Sequence, residues 1–240
     1  LVKRAGPSKV TVYDHLIQGG GWGAIASAAQ SAGAQASGLG ESASQYISKA
    51  IPGVGLKSAM VAKVLDEADV LINLPVLKTH SEGEVTIGLK NHMGSVLDRG
   101  AVHDGGGHGL QQGIADINAC PTIRGKHRLT ICDALSPMVT GGPSSGTHAN
   151  YNGIIAGTDP VATDYIGTQI IRRYNPGLAQ NPAHLTKSAA LGLGTNNPAE
   201  ISFDERNVSQ PVPELWVPGA AVGLAALRAL VDRAGFKPGA

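Results

Sequence analysis

The chain has 240 residues, 33 of them glycine and 14 proline, with 42% apolar and only 15% charged residues. It is too apolar for a disordered polyelectrolyte, its glycines lack a collagen period, and no apolar run approaches the ~18 residues of a membrane span. Nineteen basic against eighteen acidic residues leave a net charge of +1, which provides no field to draw in nucleic acid.

Leu1–Gly6 reads as the last turn of a helix, with Leu1 and Val2 turned inward and Gly6 at the C′ position. Any signal sequence upstream of Leu1 would be invisible, so a cytoplasmic and an exported chain both fit. Lys9–Tyr13 is a β-type run. Residues 18–47 carry little apolar bulk besides Trp22 and Ile25, and they read as a poorly packed helix or a long loop. Val61, Val64 and Leu65 predict a helix over Ser58–Glu67, with Ser58 as its cap. Asp69–Pro75, apolar on both sides, predicts a parallel strand covered by helices.

Gly107–Cys120 predicts a weak helix with Leu110, Ile114 and Ile117 on one stripe. The basic residues Arg124, Lys126, His127 and Arg128 read as a solvated turn leading into a strand over Arg128–Leu135. Cys132 in that strand reads as a buried structural thiol. Gly141–Gly146 is a turn, and Asn152–Ala156 is a further strand. Asp159 and Pro160 supply the cap and first position of a helix through Val161, Tyr165, Thr168 and Ile171. Residues 175–219 form a proline-rich, loop-rich appendage, and Ala220–Ala234 predicts a last helix. The pattern defines a single α/β domain over residues 1–240: a mainly parallel sheet flanked by helices in three layers, with glycine- and proline-rich loops.

Polar residues concentrate after the strand at Asp69–Pro75. Lys78, Thr79 and His80 come first, and Lys90, Asn91 and His92 follow ten residues beyond His80, with Gly83, Gly88 and Gly94 between and after them. Lysines stabilise phosphate, carboxylate or oxyanion charge, and a histidine exchanges a proton or ligates a metal. His103 and His108 flank Asp104 and three glycines in HDGGGH, a weak metal- or anion-loop pattern. Asp133 sits at a predicted strand end as a base, a ligand or an orienter of a histidine. Asp164 lies one turn into the helix after Pro160, facing either the same crevice or solvent. Cys120 and Cys132, the only cysteines, form no CxxC and no complete iron–sulfur motif.

DVLINLPVLKTHSEGEVTIGLKNHMGSV, IADINAC, LTICDALSPMVTGGPSSG and IIAGTDPVATDYIG occur in that order. These blocks, across residues 60–170, resemble the family described as domain of unknown function 362. The resemblance implies a first strand and a lysine-containing polar loop that these 240 residues lack. Many members carry ferredoxin-like iron–sulfur segments and some carry export signals; neither is present in these 240 residues. Asp69, His80, Gly83 and Lys90 are also similar in order to the N-terminal part of nickel-pincer lactate racemases, which implies a His/Lys crevice for a small anion.

Three functions fit. In the first, an enzyme binds a small carboxylate or phosphate compound, with Lys78 and Lys90 holding charge, His80 moving a proton and Asp133 orienting the base. Thr79, Asn91, Asp159 and Asp164 then line the crevice. In the second, an iron–sulfur or other metal-cofactor redox accessory protein uses His80, His103 and His108 as ligands for a divalent metal or for a cluster completed by the cysteines of a redox partner. In the third, a non-catalytic component covers a partner or a second copy of itself with residues 18–47 and 175–219.

Overall fold

The computed structural model describes residues 2–15 and 21–206. Strand β1 (Thr11–His15), helix α1 (Trp22–Ser31) and strand β2 (Gln35–Leu39) come first, and the two strands pair in parallel, Thr11 opposite Gln35. The stretch 18–47 thus contains regular structure from Trp22 onward, while residues 18–20 lie outside the described residues. Its low bulk still shows, since Ala29 is the one buried residue of α1. Gly6 takes a positive φ of 77° and donates to Lys3 O, as expected after a helical turn. Val2, expected to turn inward, is exposed.

Strands β3 (Tyr46–Ala50) and β4 (Ser58–Ala62) form an antiparallel pair, and helix α2 (Lys63–Glu67) follows. The predicted helix over Ser58–Glu67 is therefore corrected: its first half is a strand and Ser58 caps nothing. Val61 and Leu65 satisfy a helical spacing, yet Val61 is buried equally well opposite Ile47 in the β3–β4 ladder.

The central sheet begins with β5 (Leu71–Asn73), β6 (Val76–His80) and β7 (Glu84–Thr86). Helices α3 (Gly88–Asn91), α4 (Arg99–Asp104), α5 (Leu110–Ala119) and α6 (Pro121–Lys126) lead to the long β8 (His127–Gly141), then β9 (Gly146–His148) and β10 (Gly153–Gly157). Helices α7 (Pro160–Arg172) and α8 (Ala183–Ala190) complete the described α-helices, so the loop-rich stretch 175–219 includes a helix. The part of that stretch beyond residue 206, and the predicted helix Ala220–Ala234, lie outside the described residues.

The architecture is α/β with a central six-stranded sheet flanked by helices, but the sheet is mixed, which corrects the expectation of a mainly parallel one. Strands β5 and β6 run parallel to successive halves of β8, whereas β7 against β6 and both β9 and β10 against β8 are antiparallel. The reason is connection length. The turns at residues 81–83 and 142–145 are too short for anything but a reversal of direction. Pro75 divides β5 from β6: its carbonyl accepts from Asp133 N at 2.9 Å, but it has no N–H to donate in return.

Helix α7 packs on this sheet through Ile170 and Ile171, which join Leu77, Val85, Ile87, Cys132, Ala134 and Ile155 in one core cluster. A second cluster gathers Val61, Leu65, Leu89 and Val96 with Leu110, Ile114 and Ile117, the predicted stripe of α5. Each such side chain contributes about 1.5–3 kcal/mol when fully removed from water. Between the two clusters runs α3, the short helix that carries Lys90.

Candidate functional site

Alternation along β6 places Lys78 and His80 on the same face and Thr79 on the other. At the end of β6 the chain turns through Ser81–Gly83, and His80 Nδ1 accepts the amides of Glu82 and Gly83 at 3.1 and 3.0 Å. With that nitrogen committed as an acceptor, the neutral ring carries its proton on Nε2. Burial, then the nearby Lys90 charge, lower the His80 pKa from 6.5 to about 4. His80 is therefore neutral at pH 7 and presents an N–H donor.

Lys90 lies on α3 with 9% of its surface exposed. Its stem packs so closely on the turn that a Cβ on Gly83 would sit 3.0 Å from Lys90 Cε. Among the described residues, no acceptor lies within hydrogen-bonding distance of Lys90 Nζ and no carboxylate pairs with it. Burial, followed by repulsion from Lys78, brings its pKa down to about 8. Lys78 Nζ is held by Pro143 O at 3.2 Å. Glu82, whose charge partly offsets these effects on Lys90, pairs with exposed His103, Oε2 to Nδ1 at 3.0 Å.

The helix that positions Lys90 is tied from below. Asp164, wholly buried, accepts the amides of Gly88 and Leu89 at 2.8 and 3.0 Å, one on each carboxylate oxygen. Burial raises its pKa from 3.8 to about 7, against the opposing pull of those two amides. Asn73 Nδ2 donates to Gly88 O, and Asn91 Nδ2 donates to Asn73 Oδ1, both at 2.7 Å. Asn118 Nδ2 donates to Leu89 O at 2.8 Å. Three polar side chains from three elements therefore fix four residues of helix.

The structure brings Lys78, His80 and Lys90 together and keeps other candidates apart. Asp133 stands opposite Val76, four residues before His80 and so about 13 Å away along the strand, and it accepts Leu135 N. Thr79 Oγ1 donates to Met138 O. Asp159 caps α7, as predicted, with Oδ1 on the amides of Val161 and Ala162, and its Oδ2 accepts Thr195 N. Asp164 faces neither the crevice nor solvent but the start of α3. His108 is exposed beside the glycine turn at 105–109, and among the described residues no group of three His, Cys, Asp or Glu converges as a metal set. Cys120 and Cys132 are buried free thiols.

Three residues with no role in the sequence pattern stand out. Asp116, wholly buried, accepts the amides of Val54, Gly55 and Leu56 and the side chain of Gln112, all at 2.8–2.9 Å. His184 and Gln111 hydrogen-bond each other beside the Ser81–Gly83 turn. No local signal marks His184, since Gln111 lies 73 residues away in sequence. A cleft of about 220 Å³ opens elsewhere, lined by Asn118, Arg124, His127, Thr158, Pro160 and Gly192 among others. It touches the basic cluster only indirectly, through the Asn118 bond to α3.

These features define a mixed α/β protein with Lys78, His80 and the buried Lys90 gathered at the end of one strand. The chain matches the family described as domain of unknown function (DUF362) over residues 1–169, and it belongs to that family. Comparison with curated proteins found no match, and neither did comparison with solved structures. Among the described residues no helix is long and apolar enough to cross a membrane.

Proposed function

We propose that the protein is an enzyme that binds a small carboxylate or phosphate compound at Lys78, His80 and Lys90. One observation carries this: among the described residues Lys90, only 9% exposed, has no protein acceptor for its ammonium, whose exposed edge an incoming anion would pair with. Lys78 adds a second positive charge. His80 contributes an N–H donor, and its low pKa unsuits it to take a proton near neutrality. Lys90, at about 8, is close enough to neutral pH to release and recover a proton, the condition for general acid–base work. Asp164 acts through α3 as a positioning residue.

Calorimetric titration of the intact protein with phosphate, sulfate, acetate and glycolate tests the proposal. Binding of at least one anion, lost in Lys90→Ala, is the expected result. No binding, or binding unchanged in Lys90→Ala, would overturn it.

A further inference from the structure

His184 lies on α8 with none of its surface exposed. Its ring Nδ1 is 2.9 Å from Gln111 Oε1, and its backbone amide donates to the same oxygen at 3.1 Å. A backbone amide only donates, so this atom of Gln111 is an acceptor. The other end of the Gln111 amide donates to Glu82 O at 3.1 Å, which fixes the same orientation independently. Nδ1 of His184 must therefore carry the ring proton. Nε2 is left as a bare lone pair, buried and without a hydrogen-bond partner.

This lone pair belongs to the same small region as Lys90. Gln111 ties His184 to the carbonyl of Glu82, and the next residue, Gly83, packs on the Lys90 stem. Burial, reinforced by the Lys90 charge, lowers the His184 pKa to about 4, so the ring stays neutral. Donors at Lys90 and at His80 Nε2 thus share a region with this orphaned acceptor, and the Thr86 hydroxyl, opposite Lys78 on β7, is buried without a partner too. Satisfying the two donors and the His184 acceptor takes a ligand with anionic oxygens and a hydrogen of its own.

Resting on the anion-binding reading above, we propose that the cluster selects a small oxyanion that carries an O–H group, whose hydrogen is accepted by His184 Nε2 while its oxygens meet Lys90 and His80. An anion of the same shape without that hydrogen leaves the buried acceptor unpaired, which costs about 10- to 100-fold in affinity. Hydrogen phosphate and sulfate differ in this way, and glycolate differs from acetate by the whole hydroxyl group, so the two pairs separate a phosphate from a hydroxycarboxylate ligand.

The test is competition calorimetry on wild type, Lys90→Ala and His184→Phe with those four anions, together with the ring nitrogen resonances of His184. The expected result is a preference of about tenfold or more within one pair, abolished by His184→Phe. The free protein should show a protonated Nδ1 and an unprotonated Nε2 at His184, with Nε2 shifting only on addition of the hydrogen-bearing anion. The resonances need no variant, so a misfolded His184→Phe would not spare the proposal. Lys90-dependent binding with no preference in either pair overturns the selectivity while leaving the anion site standing. A protonated Nε2 in the free protein also overturns it, and absence of all binding removes both.

Discussion

Asp116 and Lys90 are both buried ionisable side chains within the family-matched region, and they stand in opposite circumstances. Asp116 meets four donors, three of them backbone amides of one loop, so it ties residues 54–56 to α5. Among the described residues Lys90 meets no protein acceptor. A satisfied buried group holds a fold together, whereas an unsatisfied one weakens it unless something outside the chain completes it. That asymmetry separates architecture from candidate chemistry here, where residue type alone does not.

The contrast breaks first at Asp116. Asp116→Ala strands three amides, and urea unfolding should show a loss of about 3–5 kcal/mol. A loss under about 1 kcal/mol would mean that the loop finds other acceptors. Asp164→Asn keeps the shape but sets an amide against one of the two α3 amides, with an expected loss of about 1–3 kcal/mol. Its pH signature is specific. The native pKa of Asp164 is raised to about 7, so the folded state holds the proton more tightly, and this group's contribution falls as pH rises from about 4 to 7. The advantage of wild type over Asp164→Asn should therefore be largest near pH 4 and shrink toward pH 7.

The buried histidines run the other way. Burial lowers His92 to about 3, and burial with the Lys90 charge lowers His184 to about 4. The folded state resists protonating them, so the stability they contribute is present above about pH 6.5 and is lost as pH falls toward 4. With His80 displaced in the same direction, these groups outweigh Asp164, and urea midpoints should drop between pH 6.5 and 4. A flat profile would contradict the burial of these rings. The smallest effect belongs to the exposed His103–Glu82 pair, where His103→Ala should change stability by no more than about 0.5 kcal/mol.

Part of this was legible in the residues. Asp159 and Pro160 announced α7, and Leu110, Ile114 and Ile117 announced α5, because caps and stripes are local. Lys78, His80 and Lys90 were found because charge is scarce in this chain. The β4 strand was missed because Val61, Val64 and Leu65 fit a helix unless the partner at 46–50 is known. Strand direction was missed because the short turns after His80 and Gly141 decide it. Neither Asp116 nor His184 could be weighed without knowing which amides and side chains approach them from 60 or more residues away.

Lys90→Met provides the most direct test of the central claim, that Lys90 is a buried cation kept at a cost for a ligand. Its folded-state pKa is lowered to about 8, so the cost is full below pH 8 and fades as pH rises toward 10.5. At pH 7 the variant should be more stable than wild type by about 1–3 kcal/mol in urea unfolding, and should no longer be stabilised by any of the four anions. A Lys90→Met protein that is less stable than wild type, or that still responds to the anions, would contradict the account.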